Sequence, residues 1–331
     1  MQDLIGALDI GGTKIAATIA DASGPLVRLK APTIKSGSAD ALALQVLDLL
    51  RQALQQAGGD TADTSGLPLG VSSCGPFVQV DGQLCLAAPN ICGGLARRGD
   101  LPNDWTVLPL QRILEPQFAR VVIRNDCVAA LLGERTFGAV VGQQNCVYVT
   151  WSTGIGFGLC VDGNLLAGKQ GNAGHAGHLL MDPYGSTRCG CGNLGDLESL
   201  ISGINISQGQ ALATPALFAA ARDGDADALA RVAPAAAWLG RALYNLVVTL
   251  DTHVFVIGGS VWQHHGHWLA PLVLHEIESR FPVLTNGVSI LAAGLDSYVA
   301  DIGACCLVMP SDWIADWRLR RPWQRLDHMP G

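Results

Sequence analysis

The chain has 331 residues, 49% of them hydrophobic and 15% charged, with 40 glycines and a formal net charge of −7. That length suits two lobes, each with its own core, and a cleft between them. The acidic balance, with no long Lys/Arg run ahead of the C-terminal tail, argues against a nucleic-acid partner and favours a small molecule. No basic segment precedes an apolar stretch at the N-terminus, and the most apolar later run, Leu246 to Val261, is broken by Asp251, His253 and a Gly-Gly pair. The expectation is a cytoplasmic protein with no signal peptide and no membrane contact. Of the ten cysteines, those at 74, 85, 92, 127, 146 and 160 fall singly in apolar or glycine-rich surroundings and read as buried free thiols.

Leu4 to Ile10 reads as a buried strand, and IAATIA after GGTK reads as a second, ending at the Asp21-Ala-Ser-Gly turn. Residues 38 to 57 place Leu and Val at helical spacing behind a Ser38 cap and close at Gly58-Gly59. LPLGVSS and VVIRND follow as strands. CVAALLGERTFG reads as a helix, then NCVYVTW and GFGLCVDGNLLAG as a hairpin-like pair whose turn is Asp162-Gly163. A loop rich in Gly, His and Cys fills 171 to 196; Ala- and Leu-rich helices fill about 208 to 222 and 226 to 249; the strand HVFVIGG and a further helix complete the pattern. The expected lobes are 1–124 and 125–299, with about 300–331 packing on the first. In that tail Trp313, Trp317 and Trp323 stand among arginines. They read as packing on their own lobe or a neighbouring subunit, or else as a stacking surface for a nucleic-acid base.

Four groups of residues point to chemistry. The bend Asp9-Ile10-Gly11-Gly12-Thr13-Lys14 lets backbone N–H groups approach phosphate oxygens, with Thr13 and Lys14 as further donors and Asp9 available to Mg²⁺ directly or through water. An ordinary glycine turn is the plainer reading, and the spacing excludes a P-loop. Trp151-Ser152-Thr153-Gly154-Ile155-Gly156-Phe157-Gly158 is a second such turn after a strand, and Gly258-Gly259-Ser260 a third; together they suit a nucleotide, with Gly258 and Gly259 at its nucleoside end. Asn125-Asp126, at the end of VVIR, offers a carboxylate to take the proton of a hydroxyl attacking the γ-phosphorus, with Asn125 orienting neighbouring hydroxyls; alternatively the pair is a helix cap. His178, Cys189, Cys191 and Asp196 supply four ligands for a closed tetrahedral zinc; the alternative is two free thiols beside a capping Asp.

In this order, DIGGTK, Asn125-Asp126, STGIG, the GxxGH segment, CGCGN-x-G, LES-x-x-SG and VIGGS resemble the ROK family of sugar kinases, repressors and unassigned reading frames. The resemblance implies an α/β, actin-like fold of two lobes and an ATP-dependent sugar kinase that pairs as a homodimer. It implies Asp126 as catalytic base; Asn125, His178 and Glu198 as sugar contacts; Gly11, Gly12, Thr13, Gly154 and Gly156 in the phosphate loops; and His178, Cys189 and Cys191 as zinc ligands. Two departures stand out. Asp196 occupies the place of the family's usual third cysteine. His175 occupies the place of the Glu of glucose-type members, a variant that resembles some bacterial N-acetylmannosamine kinases. The expected reaction is transfer from MgATP to a C6-type hydroxyl of a hexose or N-acylhexosamine held by Asn125, Asp126, His175, His178 and Glu198, with a cyclitol or other polyol as the alternative acceptor. A sugar-responsive repressor is disfavoured, since the phosphate loop begins at residue 9 and leaves no room for a DNA-binding segment.

Overall fold

The computed structural model describes residues 4–61, 63–96 and 99–328, which fall into two compact units. The first unit takes the chain as far as Val141, the short stretch Ala167–Ala173, and the chain from Ser297 onward; the second takes Gly142–Leu166 and Gly174–Asp296. The division therefore lies one helix beyond the expected residue 124. The helix Asp126–Thr136 stays with the first unit because it packs on the helix Val299–Cys306. The approach is close: a Cβ on Gly303 would lie 2.5 Å from the Ala129 carbonyl oxygen, so only glycine fits there.

The first unit holds β1 (Ile5–Ile10), β2 (Lys14–Asp21), β3 (Gly24–Pro32), β4 (Pro68–Ser73), β5 (Phe77–Val80), β6 (Gln83–Leu86) and β7 (Arg120–Asn125). Five form one sheet in the order β3-β2-β1-β4-β7, with β1 antiparallel to β2 and parallel to β4, and β4 parallel to β7. Residues of β1 are buried almost without alternation, as a strand covered on both faces requires. The helix Ala41–Gln56 packs Leu42, Val46, Leu47, Leu50 and Leu54 into that core. Ser38 is not its cap. Asp40 is the N-cap residue and already has φ −83° and ψ −12°, while Ser38 gives only its carbonyl, to the Ala41 N–H at 3.0 Å.

The second unit holds β8 (Cys146–Trp151), β9 (Ile155–Val161), β10 (Asn164–Leu165), β11 (Val254–Gly258) and β12 (Ser289–Ala292), in the order β10-β9-β8-β11-β12. The turn between β8 and β9 is formed by residues 152–154. Asp162-Gly163, at φ 50° and 78°, instead turns β9 into β10, which is where an Asp-Gly pair with two positive φ angles belongs. The expected helix over 208–222 begins only at Thr214, with Pro215 in its first turn, and the chain before it makes the short helix Gly203–Ile206. The helices Ala226–Leu250 and Ser260–Glu278 cover the sheet, and Trp151, Phe157, Phe218 and Phe255 fill the core.

The tail packs on the first unit. Trp313, Trp317 and Trp323 are buried, the Trp317 and Trp323 rings lie 5.9 and 5.2 Å from that of Phe137, and Trp317 Nε1 donates to the carbonyls of Asp21 and Ala22. No disulfide joins the ten cysteines, and no helix among the described residues is long and apolar enough to cross a membrane.

Candidate active site

In the first unit the strand register sets Asp9 opposite Ser72 on β4, and Ser72 opposite Arg124, two residues ahead of Asp126. Ser72 Oγ donates to Asp9 Oδ1 at 3.4 Å. Burial pushes the Asp9 carboxyl up to about 7, and repulsion from Asp301 and Asp126 adds to this against Ser72 and Lys14. After β1 the chain bends through Gly11, Gly12 and Thr13, closed by the Gly11 N–H bond to the Lys14 carbonyl at 3.0 Å. Thr33 braces the bend: its hydroxyl donates to the Gly11 carbonyl at 2.7 Å and its N–H to the Thr13 carbonyl at 3.0 Å. The Asn90 side-chain amide lies against the bend, where a Cβ on Gly12 would stand 2.4 Å from its nitrogen. Thr13 and Lys14 are exposed at the tip.

Asn125 ends β7 and is buried; Asp126 opens the following helix. The cap belongs to Asn125, whose Oδ1 accepts the Cys127 N–H at 3.0 Å; Asp126 Oδ1 shares that donor at 2.8 Å. Burial raises the Asp126 carboxyl above the ordinary carboxylate value, while hydrogen bonds from Cys127 and Asn125 hold it back. A helix-opening carboxylate of raised proton affinity, fixed through one oxygen, is suited to accept a proton.

In the second unit the Gly203 N–H donates to the Ser152 carbonyl at 2.8 Å and the Ser152 N–H to the Gly154 carbonyl at 2.9 Å, fixing the turn that leads into Gly156 on β9. Gly259, at φ 87°, caps the helix Ser260–Glu278 directly after Gly258 and rests on the backbone of Trp151. Glu198, in the helix Leu197–Ile201, accepts the Ile155 N–H at 3.2 Å and the Cys189 thiol at 3.3 Å.

His175 and His178 flank a short 3₁₀ turn with ring centroids 6.1 Å apart. His175 Nε2 is buried and has no hydrogen-bond partner among the described residues. Burial, then the neighbouring His178, pulls the His175 pKa down, so the ring is neutral at pH 7. His178 moves the other way, held up by its bond to Asp196 against burial. His178 Nδ1 lies 3.0 Å from Asp196 Oδ2, 3.6 Å from Cys191 Sγ and 3.8 Å from Cys189 Sγ; Cys191 Sγ is 3.6 Å from Asp196 Oδ2. One ligand atom from each of the four lies within 4.8 Å of the others. Tetrahedral zinc, with bonds of about 2.0 Å to N or O and 2.3 Å to S, sets its ligand atoms roughly 3.3 to 3.8 Å apart, so this donor set fits the ion. Asp196 does double duty, since its Oδ1 accepts the Ser199 N–H at 2.8 Å and caps the next helix.

A model of the ROK family matches residues 5–310. The chain belongs to the ROK family. A glucokinase from Halalkalibacterium halodurans is 29% identical over 323 residues, covering 91% of this chain and 93% of that one. An N-acetylmannosamine kinase from Yersinia pseudotuberculosis is 33% identical over 262 residues, 77% of this chain and 82% of the other. Among solved structures, a ROK hexokinase from Thermus thermophilus aligns with TM-score 0.75 at 29% identity, over 92% of this chain and 97% of that chain. A ROK glucokinase from Streptomyces griseus, in complex with glucose and AMPPNP, aligns with TM-score 0.65 at 27% identity, over 92% and 99%. The fold of this ROK chain is accordingly the actin-like α/β fold of sugar kinases.

The structure gathers the expected residues of this ROK chain by unit: Asp9, the Gly11–Lys14 bend, Asn125 and Asp126 in the first, and the Ser152–Gly156 turn, Gly258, Gly259, His175, His178, Glu198 and the metal cluster in the second. Sequence reasoning missed Thr33, Asn90 and Asp301. Asp301, buried beside Asp9, accepts the Thr18 hydroxyl at 3.0 Å and the half-buried Arg28 Nε at 2.9 Å, an ion pair whose members lie 273 positions apart and leave no local signal.

Proposed function

We propose that this chain, an ATP-dependent sugar kinase of the ROK family, transfers the γ-phosphoryl group of MgATP to a primary, C6-type hydroxyl of an N-acylhexosamine or hexose, with Asp126 as general base. The observation that carries the assignment is the Asp126 carboxylate itself: half-buried, raised in proton affinity, and fixed at a helix start beside Asp9. In this reading Asp126 takes the hydroxyl proton as the oxygen attacks, and the backbone of Gly11, Gly12 and Thr13, with Lys14, receives phosphate oxygens. Ser152, Thr153, Gly154 and Gly156 also serve the phosphates, and Gly258 and Gly259 the nucleoside. Mg²⁺, for which the Asp9 carboxylate is a suitable hard ligand, would neutralise charge on the phosphates. Asn125, His175, His178 and Glu198 hold the sugar. Zinc held by His178, Cys189, Cys191 and Asp196 is structural and keeps His178 oriented.

The unpartnered His175 Nε2 favours the N-acylhexosamine. A neutral imidazole offers one donor and one acceptor, whereas a Glu in its place accepts from two adjacent hydroxyls at once. N-acetylmannosamine, with a carbonyl acceptor on its acetamido group, is therefore the first candidate, and a cyclitol the next. The deciding experiment is Asp126→Asn assayed by ADP release. Turnover should fall about 10²- to 10⁴-fold with sugar binding largely kept. Retention of more than about a tenth of kcat, with an unchanged circular dichroism spectrum, removes the general-base role.

A further inference from the structure

The two oxygens of Glu198 face different neighbours. Oε1 accepts the Cys189 thiol of the metal loop at 3.3 Å, and Oε2 accepts the Ile155 N–H at 3.2 Å, where the glycine turn becomes β9. Gly154 lies against the same oxygen, since a Cβ on it would stand 2.9 Å from Oε2. The carbonyls of the turn are otherwise engaged: Ser152 accepts the Gly203 N–H at 2.8 Å, Thr153 the Ile204 N–H at 3.3 Å, and Gly154 the Ser152 N–H at 2.9 Å. With its carbonyls bound away, the turn offers an anion its N–H groups, and one of these already holds a carboxylate. Carboxylate and phosphate both bind through such donors, and each repels the other when close.

We propose that Glu198 is an autoinhibitory link through which sugar binding opens the Ser152–Gly156 turn to phosphate. Without sugar, Oε2 occupies the Ile155 N–H and sets a negative charge in the turn. Hydroxyl donors of a bound sugar draw that oxygen off Ile155 and compensate its charge, so the turn accepts nucleotide phosphate only once an acceptor is present. This rests on the reading of Glu198 as a sugar contact and of the turn as a phosphate loop. Linkage makes the effect reciprocal: sugar tightens nucleotide by the same factor as nucleotide tightens sugar. It also keeps the protein from hydrolysing ATP with water when no sugar is bound.

The test is calorimetric titration of the full chain with Mg²⁺-AMPPNP, alone and with saturating N-acetylmannosamine or glucose, for the wild type and Glu198→Gln. Gln keeps the length of the side chain and removes its charge. Wild-type Kd for AMPPNP should tighten about tenfold with sugar. Glu198→Gln should bind AMPPNP without sugar about as tightly as the wild type does with sugar, and its sugar-free ATP hydrolysis should rise. A sugar that binds the wild type without changing AMPPNP affinity overturns the inference and leaves the kinase reading standing; this arm needs no variant. A Glu198→Gln protein whose sugar-free AMPPNP affinity equals that of the wild type also overturns it. Failure of both sugars to bind the wild type counts against the proposed acceptor class itself, and the inference falls with it.

Discussion

Replacing Asp9 with Asn should make the protein more stable while removing its activity, and the gain should grow with pH. The Asp9 carboxyl is raised from an ordinary 3.8 to about 7, first by burial and then by repulsion from Asp301 and Asp126. An acid whose folded pKa exceeds its unfolded one holds its proton more tightly in the folded state. Its contribution is therefore fullest below the ordinary value, and stability falls by about 1.4 kcal/mol per pH unit as pH climbs toward the folded pKa. Across the interval from 3.8 to about 7 this reaches a ceiling of about 4 kcal/mol, and relaxation around the charge roughly halves it. Asn has the shape of the neutral acid and carries no such penalty. Thermal melts of both proteins, free of Mg²⁺, should nearly coincide around pH 4 and part progressively as pH rises to about 7, with the Asn variant then higher by roughly 3–6 °C. Equal midpoints at pH 8, or a difference that does not change with pH, would refute the reasoning.

Two further outcomes follow from the second unit. His175→Glu should shift kcat/KM toward glucose and away from N-acetylmannosamine by about tenfold, since it restores a two-oxygen acceptor; glucose as the best substrate of the wild type, or no gain in the variant, would refute this. Protein purified without chelator should carry about one zinc per chain, and well under half an equivalent would count against the site.

Much of this was legible along the chain where the signal is local. Glycine bends between apolar strands, the long apolar periods of 38–57 and 226–249, and the spacing of Cys189, Cys191 and Asp196 each carry their meaning within a few residues. Asn125-Asp126 was legible as a pair, yet sequence could not divide its roles; only geometry shows Asn125 as the cap and Asp126 beside it with raised proton affinity. What escaped depends on distant partners. The four-residue strands Phe77–Val80, Gln83–Leu86 and Ser289–Ala292 are too short to show a period. The helix Val299–Cys306 belongs to the first unit because of its close packing on Ala129. Ser38 misled because a Ser before an apolar run resembles a cap, while the chain already coils at Asp40.

The ROK match ends at residue 310, and the aromatic tail lies beyond it. That tail is welded to one particular turn: Trp317 takes up the carbonyls of Asp21 and Ala22, Arg325 reaches the Ser23 carbonyl at 3.2 Å, and Pro322 fills the space where Gly24, at φ 129°, would carry a side chain. A hairpin turn is ordinarily the part of a sheet most open to insertion and drift. Here it has been conscripted as a socket, so turn and tail are bound to change together, and a graft of either into a relative would bring a mismatch unless the other came with it.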